Sequence, residues 1–204
     1  MKNTKEKILF TSLNLFNEQG LASVTLRTIA KEMGISQGNL NYHFKKREDI
    51  IESLYYNLVQ EINVAMVDIL EMEVGLNMMK HFSEIMMNSF LKYRFIMVDF
   101  AQLMRESHKI KAHFYELSKI REQQFLALFQ ALQMKGVIRE EKLENEYYNL
   151  YKRFEILSNF WMSSAVIANK KISKKILVDY KEIITQTIYP YLTIKGVKEY
   201  SNLF

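Results

Sequence analysis

A chain of 204 residues that is 49% hydrophobic and 25% charged has the composition of a globular protein with enough apolar material for a sizeable core. Six Gly and one Pro, Pro190, supply too few turn formers for an all-β fold, so an all-helical chain is the expectation. The absence of cysteine excludes disulfides, thiolate metal ligands and a cysteine nucleophile, and the formal net charge of +5 is mild enough that its distribution matters more than its size.

Residues 1–50 hold eight Lys or Arg against five Asp or Glu, so three of the five net positive charges lie in the first quarter of the chain. A solvated basic face and a nucleic-acid surface both fit that distribution. The longest stretch without a charge, Ile156 to Asn169, falls short of the roughly 18 to 20 apolar residues needed to cross a bilayer. Met1 to Lys7 is charged, the apolar positions after it are interrupted by polar ones, and no small-residue cleavage site follows. The expected location is cytoplasmic, with no membrane partner.

In chain order, Ile8, Leu9, Leu13 and Phe16 recur at helical spacing between Thr4 and Gln19, with Gly20 as a C-terminal cap. A short second helix opens at Thr25, whose hydroxyl can cap exposed N–H groups, carries Leu26, Ile29, Ala30 and Met33, and ends at Gly34. Ser36 caps a third, running to about Phe44 with Leu40 and Phe44 on one face. A long fourth helix is expected from near Lys46 to about Met72, with Glu48 and Asp49 favouring the positive end of its dipole. After a break at Gly75, helices are expected over Leu76 to Lys92 and Tyr93 to Met104. A seventh follows from Ser107 to Gly136. The eighth, from about Glu140 to Asn169, shows a heptad-like stripe of Leu143, Tyr147, Leu150, Phe154, Leu157 and Trp161, as in helices packed nearly parallel or antiparallel. A ninth, capped by Ser173, carries Ile176, Tyr180, Ile183 and Thr187 and ends near Pro190.

Within Thr25 to Leu40, small Ala30 lets two helices cross closely, and Gly34 can take the left-handed turn. Ile29, Ile35 and Leu40 can pin the pair to the first helix. These are the parts of a helix-turn-helix, and on these features alone an ordinary helical hairpin fits equally well. Residues 5 to 54, however, closely resemble the N-terminal domain of the TetR family of bacterial regulators. Ile8-Leu9, Phe16, Gly20, Thr25 through Ile35, Gly38, Leu40 and Tyr42-His43-Phe44-Lys45 stand where the family pattern expects them. The departures are Asn41 where an aromatic is usual, Asn39 where Thr is frequent, and Lys46 where Ser usually caps the fourth helix.

The resemblance implies a DNA-binding domain over residues 1–46 and a larger helical ligand-binding and dimerisation domain over 47–204. It places the third helix in the major groove of operator DNA, where Gln37, Asn39 and Asn41 reach base edges and Arg27 reaches guanine or a phosphate. Thr25, Tyr42, His43, Lys45 and Arg47 are implied as the set that positions the backbone, with Ser36 and Gly38 at the start of the reading helix. The implied activity is a ligand-responsive repressor, released from a (pseudo)palindromic operator by a small, largely apolar effector. A second reading is a helical binding or adaptor protein that keeps the fold without recognising an operator.

Beyond Leu54 the resemblance extends only to the family's general plan. In that plan the middle helices enclose a cavity, which gives Phe82, Met86, Phe90, Phe100, Met104, Phe114, Phe125, Phe154 and Trp161 as candidate lining. Core packing explains this Met-rich and aromatic stretch equally well. For a two-fold homodimer the candidates are Leu150, Leu157, Trp161, Ser164 and Ala168, with Ile176, Tyr180, Ile183 and Thr187 from the next helix. No catalytic or metal constellation is legible. His81, His108 and His113 form no His-Glu-x-x-His pattern, His108 and His113 lie on different helix faces, and no Gly-rich phosphate loop occurs. No cofactor is expected.

Overall fold

The structure is a computed structural model that describes residues 4–168 and 172–204. Eleven α-helices account for nearly all of its regular structure: α1 Thr4–Gln19, α2 Leu26–Glu32, α3 Gln37–His43, α4 Arg47–Leu70, α5 Leu76–Lys92, α6 Arg94–Val98, α7 Phe100–Glu106, α8 His108–Met134, α9 Glu146–Ala168, α10 Lys174–Gln186 and α11 Ile194–Leu203. The only pairing of extended backbone among the described residues is an isolated bridge between Ile138 and Leu192. No helix among them is long and apolar enough to cross a membrane.

The apolar stripe of α1 is buried as its spacing demands, with Ile8 and Phe16 almost fully enclosed against Ile29, Leu40 and Ile50 of the next three helices. Each such side chain contributes about 1.5–3 kcal/mol of burial. Gly34 takes a left-handed φ of 64°, which aims the chain from α2 into α3, and the Ile35 N–H closes the turn on Ala30 O at 3.0 Å. This cluster continues without interruption along α4 through Leu54 and Leu58 to Phe90, Phe95, Ile96, Met97 and Trp161. A second cluster gathers Leu76, Phe129, Leu132, Ile138, Leu150 and Tyr191 at the far end of the molecule.

Three elements differ from the sequence expectation. The helix expected over Tyr93 to Met104 is two helices, broken at Asp99. Ser163 of α9 donates its hydroxyl to the carbonyls of Met97 and Val98 at 3.1 and 2.9 Å, engaging oxygens that a continuous helix would give to the next turn.

The helix expected from Glu140 starts only at Glu146. Arg139 forks onto the Glu146 carboxylate at 2.8 and 2.9 Å, and the Lys142 N–H joins it at 2.7 Å, so the chain between them loops and Asn145 adopts φ 58°. Leu143 is therefore 70% exposed and is no part of the buried stripe. The expected end of that helix at Asn169 lies outside the described residues; α9 is described to Ala168.

Finally, α11 follows Pro190, which sits in a short 3₁₀ turn over Tyr189–Tyr191. Thr193 caps α11 by accepting the Gly196 N–H at 3.1 Å, and Gly196 lies so close to the 136–138 segment that a Cβ would collide with Val137 O. Glu199 of α11 in turn accepts the Leu76 N–H at 2.6 Å, supplying α5 with the cap that Gly75 lacks.

Candidate nucleic-acid interface and effector cavity

The reading head is built from two local caps and a turn. Thr25 and Thr28 form a reciprocal box at the start of α2: Thr25 Oγ1 accepts the Thr28 N–H at 3.2 Å, and Thr28 Oγ1 accepts the Thr25 N–H at 2.8 Å. Ser36 Oγ accepts the Asn39 N–H at 3.1 Å, which fixes the first turn of α3 and with it the direction of the Asn39 side chain. Leu40 is fully buried beneath, and Phe44 nearly so.

With that face turned inward, Thr25, Arg27, Ser36, Gln37, Gly38, Asn39, Tyr42 and Lys45 are exposed on the outer side of α2 and α3. Tyr42 is 80% exposed, unusual for a ring with nothing to cover it, and stands edge-on to half-buried His43 with ring centroids 5.2 Å apart.

Two candidates depart from their expected roles. The Arg47 guanidinium donates from Nη1 to Leu21 O at 2.8 Å and Val24 O at 3.5 Å, and Nε reaches Glu48 at 3.3 Å. Through Nη1 and Nε it ties the α1–α2 connection to the start of α4. Asn41 is half-buried, and its Oδ1 is enclosed without a donor among the described residues, so the amide is not presented whole to a base edge. At the N-terminus of α4, Lys46 offers no side-chain cap. Asp49 Oδ2 accepts the Lys46 N–H at 3.0 Å, so the missing Ser is compensated from within the helix.

Behind the head, α4 through α10 line a cavity of about 280 Å³ that is partly open to solvent. Phe82, Met86, Phe90, Phe100, Phe114, Phe125, Phe154 and Trp161 all line it. Met104 does not: one turn beyond Phe100 on α7, it packs against the main core cluster.

The sequence reading missed Tyr55, Arg121, Tyr151, Ser158, Asn159 and Thr185, which also line the cavity and give it a polar side. Their polarity hid them, because an apolar pattern marks core and cavity alike and passes over the groups that orient a ligand. Tyr55 bonds His113 Nδ1 at 3.0 Å, and Tyr151 donates to Ser118 O at 3.0 Å; burial raises the pKa of both phenols, so they stay neutral. The buried Trp161 indole N–H meets no acceptor among the described residues.

Head and cavity are joined twice. One route is α4, which carries Arg47 at one end and Tyr55, Leu58, Ile62 and Met66 in the cavity wall. The other is α6. Asn17 of α1 donates from Nδ2 to Lys92 O at 2.8 Å and accepts the Phe95 N–H at 3.1 Å; Arg94 Nε donates to Asn17 O at 3.1 Å, and Phe16 stacks on Phe95 at 5.0 Å. Ile96 and Met97, between these contacts and α9, line the cavity.

Of the dimer candidates, Leu150 and Trp161 are buried in the protomer's own core and belong to no surface. Leu157, Ile176, Tyr180 and Thr187 are half-buried, whereas Ser164, Ala168 and Ile183 are exposed. The large apolar residues that α9 leaves exposed are Tyr148, Ile156, Phe160, Val166 and Ile167, of which Ile156, Phe160 and Ile167 are spaced four and seven apart on one face; α10 leaves Val178 and Ile183 exposed.

A family model described as a bacterial transcriptional repressor, TetR, matches residues 45–200, and one for bacterial regulatory proteins of the tetR family matches residues 8–54. The HTH-type transcriptional regulator YerO of Bacillus subtilis is 43% identical over 53 residues, 26% of this chain and 18% of YerO. AcrR of Shigella flexneri is 35% identical over 54 residues, covering 26% of this chain and 25% of AcrR. The chain thus spans a quarter or less of the length of these two relatives. A TetR-family regulator from Marinobacter aquaeolei VT8 shares the fold, with a TM-score of 0.85 at 24% identity over 99% of this chain and 98% of its own.

Proposed function

The chain belongs to the TetR family, and we propose that it is a repressor that binds a (pseudo)palindromic operator as a homodimer and is released by a small, largely apolar effector. Residues 1–46 are the reading head and 47–204 the effector and dimerisation unit. The observation that carries this reading is the exposed set Arg27, Gln37, Asn39, Tyr42 and Lys45 on one polar face, set on a core that runs without a break to the cavity.

Amides pair bidentately with adenine and a guanidinium with guanine, so Gln37, Asn39 and Arg27 read bases. Thr25, Tyr42, His43 and Lys45 hold phosphates. The dimer forms on α9 and α10 through Ile156, Phe160, Ile167, Val178 and Ile183, with Ser164 and Ala168 allowing close approach. A ligand that spreads the cavity wall displaces α4 and α6 together and moves α3 out of register with its half-site, since two heads on a duplex must match a spacing of about 34–36 Å or a multiple of it.

An electrophoretic shift on the DNA upstream of the chain's own gene, repeated across salt concentrations, tests the reading. Specific, salt-dependent retardation that the effector reverses is expected; equal affinity for that DNA and for random DNA would overturn it.

A further inference from the structure

Packing does not explain one cation in the cavity wall. Arg121 of α8 lines the cavity and is half-buried, and burial pulls its pKa below the ordinary guanidinium value. Its Nη1 donates to Gln124 Oε1 at 2.8 Å and its Nη2 to Asn63 Oδ1 of α4 at 2.5 Å, both neutral amides. No carboxylate among the described residues pairs with it. Glu122 and Glu155 are the acids nearby, and both pair with Lys152 Nζ, at 3.4 and 3.1 Å. A half-buried guanidinium whose hydrogen-bond partners are neutral amides can take a carboxylate, the group its planar fork accepts bidentately.

Resting on the effector reading above, we propose that the cavity takes an apolar molecule bearing one carboxylate, with the apolar body among Met86, Phe90 and Phe154 and the carboxylate on Arg121. A cavity of about 280 Å³ is nearly twice the roughly 150 Å³ that accommodates benzene, which suits an acyl chain of medium length. Glu155 is the one acid in the lining, and it pairs with Lys152, which it shares with Glu122. The placement also supplies the signal. Asn63 belongs to α4, so a carboxylate that takes Arg121 from Asn63 removes a bridge between α8 and the helix that carries the reading head.

Trp161, the single tryptophan, lines the cavity, so its fluorescence reports entry of a ligand without any knowledge of the operator. Decanoate, 1-decanol and decyltrimethylammonium are titrated into the full chain near pH 7. Decanoate is expected to bind at least about tenfold more tightly than the other two, about 1.4 kcal/mol. R121Q should erase that preference while leaving decanol binding within about twofold. R121K, which keeps a cation but not the fork, should retain part of the preference. Decanol binding as tightly as decanoate overturns the carboxylate site and leaves an apolar effector standing. Preference for the ammonium, or no fluorescence response to any of the three, also overturns it. Should R121Q fail to fold, the ranking on the unaltered protein decides alone. Arg121-dependent decanoate binding without any change in DNA affinity supports the site and refutes release.

Discussion

Lys45 and Arg47 stand two residues apart with the same charge and opposite surroundings. Lys45 is exposed beside α3, whereas the Arg47 guanidinium is held by Leu21 O and Val24 O. Lys45→Ala should weaken every DNA sequence alike and lower the salt slope by about one. Arg47→Ala should leave that slope unchanged and lower the melting temperature, since hydrogen bonds from a charged donor contribute about 1.5–3 kcal/mol. Asn39→Ala and Arg27→Ala form a third class, relaxing preference at particular base pairs by about 1–3 kcal/mol. Anisotropy titrations on cognate and random DNA, with thermal melts alongside, separate the three. If Asn39→Ala weakens both DNAs equally, Asn39 does not read bases. The sequence made Lys45 and Arg47 equivalent, because nothing local tells a cation that its acceptors lie 26 and 23 residues upstream.

Helices with a cap, an apolar period and a glycine stop were legible from local pattern alone. The observed bounds of α1 and α5 match the expected ones, and Ser107 and Ser173 cap α8 and α10 as expected. What escaped was set by distant partners: Ser163 divides α6 from α7, and Arg139 delays α9. The cavity's apolar wall came from the family's plan, since local pattern marks core and cavity alike, and its polar side was not legible.

Two predictions belong to these elements. Arg139, then the Lys142 N–H, holds the Glu146 carboxyl down at about 2, against an ordinary 4.5. Its ionised form therefore stabilises the fold fully above about 4.5, and the contribution is lost as the pH falls through about 2. Glu146→Gln should melt below the unaltered protein at neutral pH, with the gap closing in acid; a gap independent of pH would contradict the ion pair. Asn17→Ala removes both side-chain bonds between α1 and the α5–α6 junction, each costing about 1–3 kcal/mol when a group is left unpaired. A lower melting temperature and a weaker effect of effector on DNA binding are expected. Unchanged effector response would leave α4 as the sole route.

At the scale of the whole molecule, one core reaches from the reading head to the cavity, so the two cannot shift independently. Coupling must also be reciprocal: an effector that weakens operator binding tenfold is itself bound about tenfold less tightly, about 1.4 kcal/mol, when DNA is present. The apolar residues left exposed on α9 and α10 are expected to close a two-fold interface of about 2,000 Å² or more. Light scattering at micromolar concentration should give twice the 24.3 kDa chain mass, and Phe160→Glu should give the monomer.

Selection of bound sequences from a random duplex library by the full chain bears most directly on the central claim, that two reading heads at fixed spacing recognise one operator. The recovered DNA should converge on a (pseudo)palindrome whose half-sites are one helical turn or a multiple apart. Asn39→Ala should blur particular positions in each half. Recovery of no common sequence, or of a single unpaired half-site, would contradict it.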